Sequence, residues 1–142
     1  MTIQPNSNHQ PALFVRNVLL IDDNPSCNFI MTEFIKLTND AIVVQSCESV
    51  EEALEFLRMA DEKFPDVIYV DLNMPVLDGF DFIESFEKVF GPHHPMCSLF
   101  MLTSSLRDDD RDRAMAYQSV KDFVSKNEID EFLHVTLRKN AV

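Results

Sequence analysis

Two short apolar segments of the chain each end in acidic residues, and these acids are the side chains best suited to chemistry. Residues 67–70 lead into Asp71, and residues 17–21 lead into Asp22 and Asp23. If both segments are neighbouring strands, the three carboxylates meet at the sheet edge where open α/β sheets bind ligands. Two carboxylates about 4 Å apart repel by roughly 4 kcal/mol at an effective dielectric of about 20. The cluster therefore predicts a divalent metal site beside a nucleophilic aspartate.

A hydroxyl and an ammonium group follow two further strand-like segments. Residues 98–102 lead into Thr103, and residues 122–125 lead into Lys126. Mg²⁺ prefers hard oxygen ligands and often binds one or two carboxylates together with phosphate. A carboxylate can form an aspartyl-phosphate, and a metal ion, a lysine and a hydroxyl would neutralise the incoming charge. This set predicts phosphoryl transfer with Mg²⁺ or Mn²⁺ as the cofactor.

The elements that must position these groups alternate regularly along the chain. The first helix is predicted to begin with Asn24 as its cap and Pro25 in its first turn. The second is predicted to begin at a capping box formed by Ser49 and Glu52. Apolar strands between amphipathic helices predict an α/β fold, a doubly wound five-stranded parallel sheet with five helices. The predicted strands are residues 17–22, 41–45, 66–70, 98–102 and 122–125, and the predicted helices are residues 25–38, 50–63, 80–90, 107–118 and 127–139.

The composition fits one globular domain and argues against several kinds of partner. The 142 residues include 12 basic and 24 acidic ones, and the net charge of −12 opposes binding to nucleic acid or to anionic membranes. The apolar runs are shorter than the about 20 residues of a membrane helix, and no signal peptide is evident. Three cysteines in apolar stretches indicate free thiols in a reducing compartment. We expect a cytoplasmic protein with a polar tail over residues 1–16 and one domain over residues 17–140.

The chain resembles the receiver domain of two-component response regulators, in particular stand-alone, chemotaxis-regulator-like ones. The resemblance covers about residues 17–140 and implies a flavodoxin-like sheet with strand order 2-1-3-4-5. Its four motifs are LLIDDN at 19–24, DLNMPVLDG at 71–79, MLTS at 101–104 and FVSK at 123–126.

The resemblance implies that Asp71 is a phosphoacceptor and part of a metal site. Asp71 would take the phosphoryl group from a phosphohistidine of a sensor histidine kinase or a histidine phosphotransfer protein. Asp22 and Asp23 would hold Mg²⁺ together with Asp71, and the backbone carbonyl of Asn73 would complete the protein's ligands.

The resemblance also implies how the phosphoryl group is read and removed. Thr103 and Lys126 would bind the oxygens of the phosphoryl group. Phe123 would turn inward when Thr103 moves toward that group. The face formed by strand 4, helix 4 and strand 5 would then change its partner preference by population shift. Asn73 and Ser105 would tune hydrolysis, and this small polar pair predicts a moderately short-lived phosphoryl group.

One departure from the family pattern leaves other functions open. Asn127 stands where the family usually has proline, so the loop carrying Lys126 is the part of the match that could be placed differently. A pseudo-receiver that binds proteins without phosphorylation is one alternative. A Mg²⁺-dependent phosphatase is another, but its second catalytic aspartate would fall on Asn24 or Pro25. The expected output is binding to a protein target, by a monomer or a phosphorylation-linked homodimer.

Overall fold

A five-stranded parallel sheet forms the centre of the chain. The computed structural model describes residues 15–104 and 107–129, together with residues 131, 133 and 137. The sheet has the order β2-β1-β3-β4-β5, which confirms the predicted flavodoxin-like arrangement. The strands are β1 (Asn17–Ile21), β2 (Val43–Cys47), β3 (Val67–Asp71), β4 (Ser98–Thr103) and β5 (Val120–Ser125).

Four α-helices connect these strands: α1 (Pro25–Thr38), α2 (Val50–Met59), α3 (Gly79–Ser85) and α4 (Asp108–Met115). The predicted fifth helix lies largely outside the described residues, as does the predicted tail apart from its last two positions. Helical conformation is present at Ile129, Glu131, Leu133 and Leu137. Each helix in the described part of the chain is too short or too polar to cross a membrane.

Alternate residues of each strand point to opposite faces of the sheet and enter two separate cores. Leu19, Ile68 and Leu99 pack on one face with α2, α3 and α4. Val18 and Tyr69 pack on the other face with α1 and with the helical residues beyond β5. Because both faces are covered, the inner strands β1, β3 and β4 are mostly apolar without a polar alternation, as is typical of parallel sheets, whereas the edge strands β2 and β5 carry exposed polar residues.

The prediction for β2 was two residues too early. The apolar run drew the predicted strand to residues 41–45, but the strand is Val43–Cys47. Pairing with β1 sets these limits, since Asn17 is in register with Val43 and Ile21 with Cys47. Ile42 precedes the strand and is buried in the core of the α1 face. Edge-strand boundaries thus follow backbone pairing rather than hydrophobicity.

The ends of several other elements also differ from the prediction. The second helix stops at Met59 instead of residue 63, because Asp61 adopts a left-handed φ of 49°. The third helix continues over Phe86–Phe90 as a π turn, in which the Gly91 amide donates to the Phe86 carbonyl. The fourth helix is shorter than predicted, and β5 begins two residues earlier, at Val120.

The loop after β3 holds its shape through a cap and a close backbone approach. Asp78 caps α3 through a reciprocal pair of hydrogen bonds with Asp81. The left-handed residue of this loop is Val76, at φ 70°, an uncommon conformation for a β-branched side chain. Gly79 is needed for space, since a Cβ there would lie 2.8 Å from the Asp71 carbonyl oxygen.

Replacing Gly79 with alanine is expected to lower the free energy of unfolding by about 1–3 kcal/mol, because the new methyl group forces backbone apart. The two nearest atoms that it meets belong to the backbone of Asp71 and Leu72, so rotation of the third neighbour, the Met101 side chain, cannot relieve the contact. Urea unfolding checks this value. Gly91→Ala is the matched control, since its Cβ would find its nearest neighbour at an ordinary 3.5 Å. Equal stability of the two variants would contradict the close-approach argument.

Candidate functional site

The carboxyl ends of β1 and β3 bring three acidic side chains together. Asp71 is the last residue of β3, and Asp22 and Asp23 directly follow β1, which is paired with β3. One carboxylate oxygen from each residue lies within 4.8 Å of the others. Asp22 and Asp71 are buried, whereas Asp23 is exposed. The cluster is therefore reached by solvent at Asp23.

Lys126 reaches into this cluster from the end of β5. Its Nζ lies 2.7 Å from Asp22 Oδ2 and 3.2 Å from Asp71 Oδ1. The residue that departs from the family pattern, Asn127, donates its backbone N–H to the Ser125 hydroxyl at 3.1 Å, which a proline could not do. The loop thus has a turn of its own and still delivers the ammonium group to the acids.

The donor set suits a small, hard divalent cation. Three carboxylates and one ammonium group leave a double negative charge at the centre of the cluster. Mg²⁺ prefers hard oxygen ligands, and one oxygen from each of Asp22, Asp23 and Asp71 lies within 4.8 Å of the others, so the three could converge on one such ion. The ion, when bound, would supply positive charge that offsets the three carboxylates.

Burial and crowding of like charges change the acidity of the central carboxyl group. Burial, with the nearby charge of Asp22, raises the pKa of Asp71 to about 6, and Lys126 opposes this rise. For Lys126, burial alone would lower the pKa, but the hydrogen bond to Asp22 and the negative charges of Asp71 and Asp22 raise it overall. The lysine is therefore a permanent cation, and Asp71 is ionised at neutral pH at some cost in stability.

We expect Asp71→Asn to be more stable than the wild type at pH 8 in the absence of divalent metal. The folded-state pKa of Asp71 is raised from 3.8 to about 6, so the folded protein holds this proton more tightly than the unfolded chain does. The stability of the wild type should fall as pH rises through this range and stay low above it. The gain in free energy of unfolding is up to about 3 kcal/mol.

Urea unfolding in a chelator at several pH values checks this expectation. The advantage of Asp71→Asn should disappear below about pH 4, where both states of the wild type are protonated. Asp40→Asn, a change at an exposed position outside the cluster, is the matched control. A constant difference between Asp71→Asn and the wild type from pH 4 to pH 8 would contradict the argument.

The other predicted site residues lie around the same sheet edge, with one exception. Thr103 ends β4 and is 1% exposed, and it is in register with Ser125 of β5. The Phe123 side chain is buried, in the core between the sheet and α4. Asn73 is exposed, two residues beyond Asp71. Ser105 lies outside the described residues.

Two asparagines at the start of α1 support the acidic cluster. Asn24 caps the helix with its side-chain oxygen and donates its backbone N–H to Asp22 Oδ1 at 3.0 Å, so it has a structural task rather than an acid–base one. Asn28 was not singled out in the sequence, although it is buried and donates to the Asp22 carbonyl oxygen. Its position could have been noticed in the sequence, because Asn28 has helical spacing from Met31 and Ile35 and therefore lies on the same buried face of α1.

Comparison with known proteins places the whole arrangement in one family. The family model described as "Response regulator receiver domain" matches residues 18–138. A solved two-component response regulator from Cytophaga hutchinsonii is 30% identical, with a TM-score of 0.77 over 88% of this chain and 98% of its own. The Vibrio cholerae chemotaxis protein CheY4 is 25% identical, with a TM-score of 0.72 over 87% of this chain and 97% of its own.

Curated relatives match the chain over only part of their own length. The nitrate/nitrite response regulator NarL of Escherichia coli K12 is 32% identical over 58% of this chain and 35% of NarL. A protein-glutamate methylesterase/protein-glutamine glutaminase of Methylobacillus flagellatus is 33% identical over 79% of this chain and 30% of that protein. The chain thus spans about a third of these relatives. Since the family model matches most of its length, the chain belongs to the response regulator receiver domains of two-component signalling.

Proposed function

We propose that the protein is a phosphorylation switch in which Asp71 accepts a phosphoryl group from a phosphohistidine. The donor would be a sensor histidine kinase or a histidine phosphotransfer protein. The observation that carries the proposal is the position of the Asp71 carboxylate, which lies 3.2 Å from the Lys126 ammonium and beside two further carboxylates. This arrangement offers a nucleophile, the Asp71 carboxylate, and a cation, the Lys126 ammonium, that can offset the negative charge of the transferred group.

In the proposed step an oxygen of Asp71 forms a bond to phosphorus while the phosphorus–nitrogen bond of the donor breaks. The donor imidazole leaves and takes up a proton. Asp71 needs no base, because a carboxyl group with a pKa of about 6 is largely ionised at neutral pH. Lys126 would turn from Asp22 toward the new phosphoryl oxygens, since phosphorylation adds negative charge and strong acceptors.

Asp22, Asp23, Asp71 and the Asn73 backbone carbonyl would hold Mg²⁺. The ion, when bound, supplies positive charge that offsets the carboxylates and the transferring phosphoryl group. Asp22 is already oriented for this task, since its two carboxylate oxygens accept from the Asn24 amide and the Lys126 ammonium. Asp23 is the exposed member of the set and leaves the site accessible to solvent.

The response would pass from Thr103 to Phe123 and then to the surface formed by β4, α4 and β5. Both side chains are buried on adjacent, paired strands, and in the proposed response the movement of Thr103 would be accompanied by repacking of Phe123. The changed surface would then bind a protein target or a second copy of the chain. Asn73 and Ser105 would set the access of water to the phosphoryl group, with a lifetime shorter than many hours at pH 7.

The decisive experiment is incubation with Mg²⁺ and acetyl phosphate or phosphoramidate, followed by intact-mass measurement. We expect a gain of one phosphoryl group when Mg²⁺ is present and no gain when chelator is present from the start. If chelator is added after phosphorylation, we expect the phosphoryl group to be lost no faster than in Mg²⁺. Both donors are small, so the result does not depend on knowing the cognate kinase.

Absence of any gain, with Mg²⁺ binding confirmed by titration calorimetry, would overturn the proposal. It would favour a pseudo-receiver that binds partners in the unmodified state. A gain that is unaffected by chelator would contradict the metal part of the proposal while leaving the acceptor role in place.

A further inference from the structure

Asn28 is a buried polar residue on the core-facing side of α1. Its side chain is 4% exposed, and the other buried residues of the helix, Met31 and Ile35, are apolar. A buried amide is costly unless its hydrogen bonds are made, and the Asn28 Oδ1 has no partner among the described residues. The contacts of Nδ2 should therefore explain why a polar group occupies this place.

The Asn28 amide links three elements directly beneath the acidic cluster. Its Nδ2 donates to the Asp22 carbonyl oxygen at 2.9 Å and lies 3.5 Å from the Cys47 carbonyl oxygen. The same Cys47 oxygen accepts the backbone N–H of Asp22 at 3.0 Å. One side chain of α1 thus holds together the ends of β1 and β2.

The carbonyl that Asn28 holds belongs to the peptide group between Asp22 and Asp23. Fixing its oxygen fixes the plane of that peptide group, from which the Asp23 side chain projects. The Asp22 carboxylate has further anchors in Asn24 and Lys126, whereas Asp23 is exposed. The direction of Asp23 therefore depends strongly on its backbone.

Asn28 is itself held in place by the first turns of α1. Its backbone N–H donates to the Asn24 carbonyl at 3.2 Å, a helical hydrogen bond that sets its position. Its carbonyl also accepts the Thr32 hydroxyl at 2.8 Å, a bond that does not involve the side-chain amide. The identity of the amide nitrogen follows from chemistry, because the oxygen in its place would face two carbonyl oxygens. The helix thus holds the Asn28 Nδ2 donor in a fixed position beside the Asp22 carbonyl oxygen.

We propose that Asn28 is a positioning residue that preorganises Asp22 and Asp23 for the divalent cation. The inference rests on the proposed function, in which these two acids are metal ligands. Residues that orient metal ligands typically change metal affinity by about 10–100-fold when they are replaced. Asn28 would act in this way through the backbone of the ligands, without touching the ion.

The test compares Asn28→Leu with Thr32→Val in the full chain. Leucine has the branched shape of asparagine, although it is somewhat larger, and it lacks the donor. The Thr32 change removes a hydrogen bond to the Asn28 backbone and leaves its amide intact. Titration calorimetry with Mg²⁺ alone should give a dissociation constant about 10–100-fold higher for Asn28→Leu. Thr32→Val should bind Mg²⁺ as the wild type does. Urea unfolding in chelator measures the loss of stability of each variant separately.

Equal Mg²⁺ affinity in Asn28→Leu and the wild type would overturn the inference, and so would an equal loss of affinity in both variants at matched stability. If Asn28→Leu does not fold, Asn28→Ala replaces it, and the same loss of affinity is expected. Failure of the wild type to bind Mg²⁺ would instead contradict the proposed function. These outcomes separate an error about Asn28 from an error about the site.

Discussion

Asp71→Asn is expected to abolish phosphoryl uptake from acetyl phosphate, with a fall in rate of at least about 10³-fold. The amide of asparagine has the size of the carboxyl group but lacks the nucleophilic oxygen that the proposed step requires. Because this variant should also be more stable than the wild type without metal, the loss cannot come from unfolding. Intact-mass measurement over time, with Mg²⁺ present, gives the rate.

Asp66→Asn is the matched control for this experiment. Asp66 lies at the opposite end of β3, where its carboxylate accepts the backbone N–H groups of Arg16 and Asn17 at 2.8 and 3.0 Å. An asparagine oxygen can accept there as well, so uptake should continue at the wild-type rate. Uptake by Asp71→Asn at a comparable rate would show that another carboxylate is the acceptor.

Lys126→Met is expected to slow phosphoryl uptake by about 10²–10³-fold while leaving Asp71 as the acceptor. Removal of one group that stabilises charge in the transition state typically costs a factor of this size. The ammonium group lies within 3.2 Å of both Asp22 and Asp71, so no nearby group can replace it without movement of the loop. The same intact-mass assay measures the rate.

The metal affinity of Lys126→Met provides an independent check. With the ammonium group gone, three carboxylates remain uncompensated, and Mg²⁺ should bind at least as tightly as in the wild type. Lys121→Met, which removes an exposed lysine of β5, should change neither the rate nor the affinity. Phosphoryl uptake by Lys126→Met at the wild-type rate would show that Lys126 only forms a structural ion pair and does not assist the transfer.

The positions of the acidic residues in the fold could be predicted because they depend on local sequence. An apolar segment that ends in aspartate forms a strand with a carboxylate at its carboxyl end, and parallel strands place such ends at one edge. Asp22 and Asp71 are separated by 49 positions in the chain, yet the strand-end pattern predicts that they lie close together. The strand order 2-1-3-4-5, by contrast, was implied only by the resemblance to the receiver family.

Element boundaries were less predictable wherever a distant partner sets them. β2 follows the register of β1 rather than its own apolar run, which placed it two residues later than predicted. The loop after β3 has its left-handed residue at Val76, although the nearby glycine is the residue that a sequence pattern would choose. Gly79 instead serves the close approach to the Asp71 backbone.

The sequence by itself determined which chemical groups reach the site: three carboxylates, a hydroxyl and an ammonium group, each at the end of a strand. Only the tertiary structure decided how these groups act on one another. The distance from Lys126 to Asp71, the raised pKa of Asp71 and the bond from Asn28 to Asp22 depend on burial and on contacts between separate elements. Such quantities arise from three-dimensional packing, because desolvation and Coulomb interactions depend on distance in space and not on separation along the chain.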